Sequence, residues 1–432
     1  MTVKSGIGAA LALALLVACG EVDVILPGER LAIRPEAAII NETRALNLVA
    51  PVSNASWTHR NGSADHQITH PALSAGLAPV FAVSIGEGDS RRARITADPV
   101  VANGAIYTLD ARAQVQATST AGQPLWAQDL TPGNDGRGDA SGGGIAVQGN
   151  ALYVTTGFGE LTALDASSGA VLWRQDLDAP GTSAPTVFGE LVYVVARDSV
   201  AYAIDRTTGR IRWSVAGTPS VGNFAGGAGA AVNSEIAIFP FGSGDVTATF
   251  PAGGTQRWST VVTGERVGQA AANISDISGD PVIAGGTVYV GNFSGRLVAM
   301  NIANGARLWT ATEGAVSPVW PSGDSVFLVN DLNQLVRLDR STGAPVWKVD
   351  LPQSVAAGTF RQVRSRFAHY GPVLAGGRLI VASSDGLIRE FDPASGALIG
   401  SAEIPGGAAS NPAVAGQTLY VVSKSGQLVA FR

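Results

Sequence analysis

The residues of this chain best suited to chemistry are few, and their spacing decides what they can do. Four histidines occur, His59, His66, His70 and His369. His66 and His70 stand four apart, the separation that places two imidazoles on one helix face where they can share a metal. The surrounding THRNGSADHQITH has no helical apolar period, and no cysteine or carboxylate cluster completes a ligand set. These are therefore read as surface or hydrogen-bonded histidines. The loop TPGNDGRGDASGGG at 131–144 has the glycines and acids of a calcium or phosphate loop. It lacks the alternating acidic ligands and closing Glu that calcium needs, and the Lys-Ser/Thr pair of a phosphate loop. Its Arg137-Gly138-Asp139 is taken as coincidence. No Ser/His/Asp or Cys/His setting is recognisable. The expectation is no catalytic residue, no metal and no cofactor.

One reactive position stands out by its place. Cys19 is the single cysteine, which rules out a disulfide within the chain, and it follows an apolar run IGAALALALLVA with one preceding charge, Lys4. That run is too short to span a bilayer and leads into polar sequence, so residues 1–18 read as a signal peptide. Leu16-Val17-Ala18-Cys19 has the form of a bacterial lipobox, and Cys19 is the expected lipidation site, several acyl chains giving stable anchoring. Residues 19–75, with isolated apolar residues around Pro27, Gly28 and Pro35, read as a tether and lead-in, with Trp57 docking it on the C-terminal domain.

What must position everything else is a repeat. From residue 76 to 432 the chain repeats one phrase: an apolar pair, a Gly turn, an apolar strand, a second turn, a Leu-x-Ala-Leu-Asp-like strand, an Asp-to-Gly turn and Trp. The anchors are Trp126, Trp173, Trp213, Trp258, Trp309 and Trp347, 38 to 51 residues apart, with Gly400 where a seventh is expected. In the second copy the strands are GGIAVQ, ALYVTT, ELTALD and AVLWRQDL. Four short strands in about 45 residues make a β-propeller blade. Copies begin near Asp98, Gly142, Ser183, Ala228, Gly279, Val316, Tyr370 and Ser410, and the last stops after three strands. Its missing strand is GLAPVFAVSIG at 76–86, with Phe81 in the Trp place. The expected fold is all-β: an eight-bladed propeller of four-stranded blades, closed by pairing an N-terminal strand with the C-terminal blade. Each Trp should pack between blades, contributing at most roughly 4–6 kcal/mol. The net charge of −5 gives no electrostatic case for nucleic acid. The basic clusters Arg91-Arg92-Ala93-Arg94 and Arg361-Gln362-Val363-Arg364-Ser365-Arg366 are local features.

The blade phrase resembles the tryptophan-docking repeat of quinoprotein alcohol dehydrogenases, which hold pyrroloquinoline quinone with calcium near the ring axis and carry a disulfide between adjacent cysteines. This chain has no such cysteines. Lipobox, lead-in Trp and eight blades together resemble the BamB family, lipoprotein subunits of the outer-membrane β-barrel assembly machinery. That resemblance implies a non-catalytic scaffold without cofactor, monomeric within a hetero-oligomeric complex. It would be lipid-anchored at the outer membrane (Gly20 after Cys19, not Asp), face the periplasm, and serve unfolded outer-membrane protein clients. It also implies contacts. Asp276, in Ile274-Ser275-Asp276-Ile277, takes the place of an acidic residue that meets the POTRA domains of BamA, with Asp280 substituting for a second acid where Ser278 stands. A second contact loop lines up with Pro219 to Phe224, where Val221, Asn223 and Phe224 stand without the family's Arg. The alternative function of Asp276 is to cap the turn entering Asp280-Pro281. Alternatives for the whole chain are a quinone-dependent dehydrogenase-like enzyme, or a propeller lipoprotein binding cell-wall glycan or another envelope partner.

Overall fold

The computed structural model describes residues 41–181, 183–220, 226–264, 266, 276–354 and 366–432. Eight antiparallel four-stranded sheets follow one another, seven of them with their strands in chain order from the first, inner strand to the fourth, outer one. The second blade has strands Gly143–Gln148, Ala151–Thr156, Glu160–Asp165 and Val171–Asp176, as the period-two pattern and Gly turns dictate. The inner three strands are almost wholly buried; the outer strand alternates between exposed and half-buried. The eighth sheet has the order Pro79–Ser84, Gln427–Phe431, Thr418–Val422, Ala413–Ala415. Phe81 pairs with Ala430, and Ala78 and Arg432 exchange both backbone hydrogen bonds, at 3.1 and 2.9 Å. The ring is closed by its two ends, which leaves no blade short of a strand.

The tryptophans sit where the repeat put them, and the structure shows why each needs the following Asp-to-Gly turn. A bulge just before each Trp breaks the register of the outer strand, as between Ala163 and Leu164 opposite Trp173. The indole then leans onto the turn glycine of the next blade. A Cβ built on Gly169 would lie 2.5 Å from Trp126, and Gly169 also holds φ +75°. The contact recurs at Gly209, Gly254, Gly305, Gly343 and Gly396, and Phe81 makes it with Gly122. Five indole N–H groups donate to a carbonyl in that turn, for example Trp173 to Arg206 at 3.0 Å and Trp309 to Arg340 at 2.9 Å. Trp347 differs: the carbonyl of Pro393 is taken by the buried Arg337, and the Trp347 Nε1 has no partner among the described residues. Gly400 also has its reason. The third and fourth strands of the eighth blade, Gln427–Phe431 and Pro79–Ser84, are not consecutive and have no turn between them for an indole to lean on. The Glu390 carboxylate fills that space and pairs with Arg378 at 3.1 Å.

The lead-in, expected as a tether docked by Trp57, packs along the ring over residues 41–75. Asn41 bonds both backbone groups of Lys348 on the outer strand of the sixth blade, at 2.9 and 3.0 Å. The chain then crosses the end of the ring where the first and second strands turn. The inner strands of a propeller leave backbone groups facing the axis, and buried donors need acceptors. The lead-in supplies them blade by blade: Val101 N–H to Trp57 O, Val147 to Thr58 O, Val187 to His59 Nε2, Val232 to Ala64 O and Ile283 to Asp65 O, all within 2.8–3.0 Å. At the matching place in the sixth blade stands Pro321, which has no N–H to satisfy. Trp57, 1% exposed, stacks on Trp320 with ring centroids 6.3 Å apart.

Candidate interaction face

With one end of the ring covered by the lead-in, the opposite end carries the connections between blades. Two of these, 217–229 and 262–280, flank the fourth blade. The described residues bring them together: the Gly229 N–H donates to Asp280 Oδ1 at 2.9 Å. The second loop is also tied to the sixth blade. Arg266 makes a bidentate pair with Asp331 at 2.9 and 3.0 Å and donates to Thr312 O at 2.7 Å. Asp331 lies beside Glu313, which accepts from Asn330 at 2.6 Å and pairs with Lys348. Bidentate geometry and burial make this a rigid mount for the loop.

Of the contact residues expected from sequence, Cys19, Val221, Asn223, Phe224, Ile274 and Ser275 lie outside the described residues, as does the signal segment. Asp276 and Ile277 are described and both are covered, 4% and 1% exposed. Asp276 walls a recess of about 30 Å³ between the two loops, shared with Arg197, Gly227 and Gly242, and its carbonyl accepts the Phe293 N–H at 3.1 Å. Asp280 requires a correction. Expected as a second acid for a partner, it is 2% exposed and committed to this chain. Its bonds, to Arg60 and the Gly229 N–H, are long-range.

Asp280 belongs to a polar hub on the axis that sequence reasoning missed. Arg60, from the lead-in, donates to Asp98 at 2.8 Å, to Asp280 at 3.1 Å and to the Thr96 carbonyl at 3.1 Å. Two carboxylates hold its guanidinium charged against strong desolvation, pushing its pKa above the usual value. Asp98 accepts from both the backbone and the side chain of Asn411, at 2.7 and 3.0 Å. Asn411 Oδ1 in turn accepts from Ser317 Oγ and Gly371 N, both at 2.8 Å. The signal was present in sequence: Asp98, Asp280, Ser317, Gly371 and Asn411 each precede a proline just before or within the first strand of a blade. The histidines are satisfied but not at the surface. His59 accepts Val187 N–H and bonds Thr58, while burial, with His66 nearby, lowers its pKa to about 3. His66 Nδ1 donates to Pro281 O, and His70 bridges Val49 O and Gly377 N. His369 contacts Ser383 and Pro352 O, and burial lowers its pKa as well. Among the described residues no three of His, Cys, Asp or Glu gather as metal ligands.

Above the hub, toward the loop end, a cavity of about 480 Å³ opens along the axis. Gly226 and Ser278 on its wall come from the two flanking loops, so the cavity mouth and the loop pair form one surface.

Comparison with known proteins places this architecture. Residues 111–349 and 353–432 match the family described as outer membrane protein assembly factor BamB. A protein of that name from Shewanella oneidensis is 26% identical, over 82% of this chain and 90% of its own length. The crystal structure of BamB from Moraxella catarrhalis superposes with a TM-score of 0.69 at 19% identity, over 82% of this chain and 99% of that one. The quinohemoprotein alcohol dehydrogenase of Comamonas testosteroni shares the fold at a TM-score of 0.65 and 14% identity, over 87% of this chain and 80% of that one. With both parts of the family match lying on the blades and reaching the C-terminal strand, this chain belongs to the outer membrane protein assembly factor BamB family.

Proposed function

We propose that this chain is a scaffold lipoprotein of the outer-membrane β-barrel assembly complex, anchored through Cys19 and facing the periplasm. It docks on the POTRA domains of BamA and helps place unfolded barrel clients for insertion. The observation that carries this reading is the family match across the blades. The geometry adds a reason for the docking end. One end of the ring is sealed by the lead-in, while the other presents two loops joined by Asp280 and braced by Arg266. The described residues of both loops, Gly229, Arg266 and Asp280, are fixed before a partner arrives, which lowers the ordering cost of binding there. Asp276 acts from the wall of the recess between the loops, and contact through it requires a partner group small enough to enter. The family is named for assembly, and no reaction is assigned to this chain.

The test is capture of the C-terminally tagged protein from native membranes in mild detergent. Recovery of a POTRA-bearing barrel protein is expected. Its reproducible absence, with another envelope protein or glycan in its place, would overturn the proposal.

A further inference from the structure

Two basic residues more than 250 positions apart in sequence, Arg94 and Arg366, meet at the axial cavity. They line its mouth together with Lys424, above Arg60. Among the described residues, only two carboxylates share that wall, Asp89 and Asp98. Both are already engaged. Asp98 accepts from Arg60 and twice from Asn411. Asp89 accepts from the Ile95 N–H at 2.8 Å and from Arg94 at 3.2 Å. The cations are not equally engaged. Lys424 uses one donor, to the Ser384 carbonyl at 2.6 Å, and Arg94 is 60% exposed at its side chain. Arg366 is exposed and has no side-chain hydrogen bond or ion pair among the described residues. Tyr370 adds a hydroxyl to the wall; burial first, then Asp89 and Asp98, raises its pKa, so it remains a donor at neutral pH. A chain of net charge −5 thus gathers surplus positive charge and unused donors in a concave, partly desolvated mouth, where attraction for an anion is strengthened by the low-dielectric walls.

We infer that this mouth is a docking site for an acidic peptide segment, which inserts carboxylate side chains between Arg94, Arg366 and Lys424. A peptide fits better than a lone anion because the cations are spread over three successive blades, supplied by the connections opening the first and seventh blades and by a turn of the eighth. A cavity of this volume also accepts several side chains. The inference stands apart from the identity of the assembly partner.

The test uses fluorescence anisotropy of a labelled hexaglutamate peptide with the whole protein at low and moderate salt. Saturable binding that weakens with salt is expected. The R366E/K424E variant should lose affinity by roughly tenfold or more, while R174E, on an outer strand far from the mouth, should bind like wild type. Far-UV circular dichroism should match throughout, since Arg366 and Arg174 are exposed and Lys424 is only half-buried. No saturable binding, or equal binding by R366E/K424E, would overturn the inference. Equal competition by free glutamate or inorganic phosphate at matched concentration would also overturn it, showing a small-anion site in place of a peptide site.

Discussion

Two neighbouring glycines allow a sharp test of the packing that holds blade to blade. Gly253 and Gly254 lie in the same turn of the fourth blade. A Cβ on Gly253 would meet nothing within 4 Å, whereas one on Gly254, at φ +70°, would lie 2.6 Å from the Trp213 ring. Gly254→Ala therefore carries two costs: about 1–2 kcal/mol for an L-residue in the left-handed region, and about 1–3 kcal/mol for overpacking against an indole that cannot retreat. The sum is roughly 2–5 kcal/mol. Gly253→Ala should be neutral or stabilise by about 0.4–1 kcal/mol through the unfolded chain. At about 2.1 cal/mol/K per residue, a cooperative unit spanning residues 39–432 moves its melting temperature by only on the order of 1 °C per kcal/mol. Urea unfolding midpoints are thus the better assay. Repeating both substitutions in a Trp213→Ala background separates the two costs. Without the indole the steric part should vanish, giving a coupling of about 1 kcal/mol or more. Equal effects of the two glycine substitutions, or an unchanged Gly254→Ala cost without Trp213, would refute the proposed packing.

The axis supplies further expectations. His59 is neutral when folded, with a pKa of about 3, but takes a proton near 6.5 when unfolded. Its contribution is complete above pH 6.5 and is lost as pH falls toward 3, amounting to about 2 kcal/mol by pH 5. His59→Gln should flatten the pH dependence of the urea midpoint by that amount, and an unchanged slope would contradict the assignment. Asp280→Asn leaves Arg60 buried with one carboxylate and should cost about 3–5 kcal/mol; a midpoint near wild type would show the hub to be dispensable. Trp57→Ala should cost about 3–5 kcal/mol and speed protease cleavage within 41–75. Unchanged cleavage there would mean that the lead-in is held by its backbone bonds alone.

Much of the ring was legible because its determinants are local. Period-two strands recur in each copy, Gly-closed turns in seven (four of them opened by Asp) and a Trp at one offset in six, and the strand boundaries of the second blade agree with the sequence reading. Even the exceptions have local causes: Phe81 replaces Trp, and Gly400 faces the blade that lacks a turn. The lead-in was opaque for the opposite reason. Its fit comes from backbone groups of several inner strands, and such long-range bonds leave no periodicity in THRNGSADHQITH. Arg60 in that segment looks like a solvated loop residue until the axis supplies Asp98 and Asp280. The acids at 276 and 280 illustrate the same point. Four residues apart and similar in type, one walls the recess between loops while the other neutralises an arginine from 220 residues upstream.

Docking at the loop end of the closed ring predicts where a partner protects the backbone. Hydrogen exchange of the full chain, with and without the periplasmic POTRA fragment of BamA, tests it most directly. New protection should appear in 217–229 and 262–280, with the Asp-to-Gly turns at the opposite end unchanged. Protection confined to those turns, or no protection at saturating fragment, would contradict the claim.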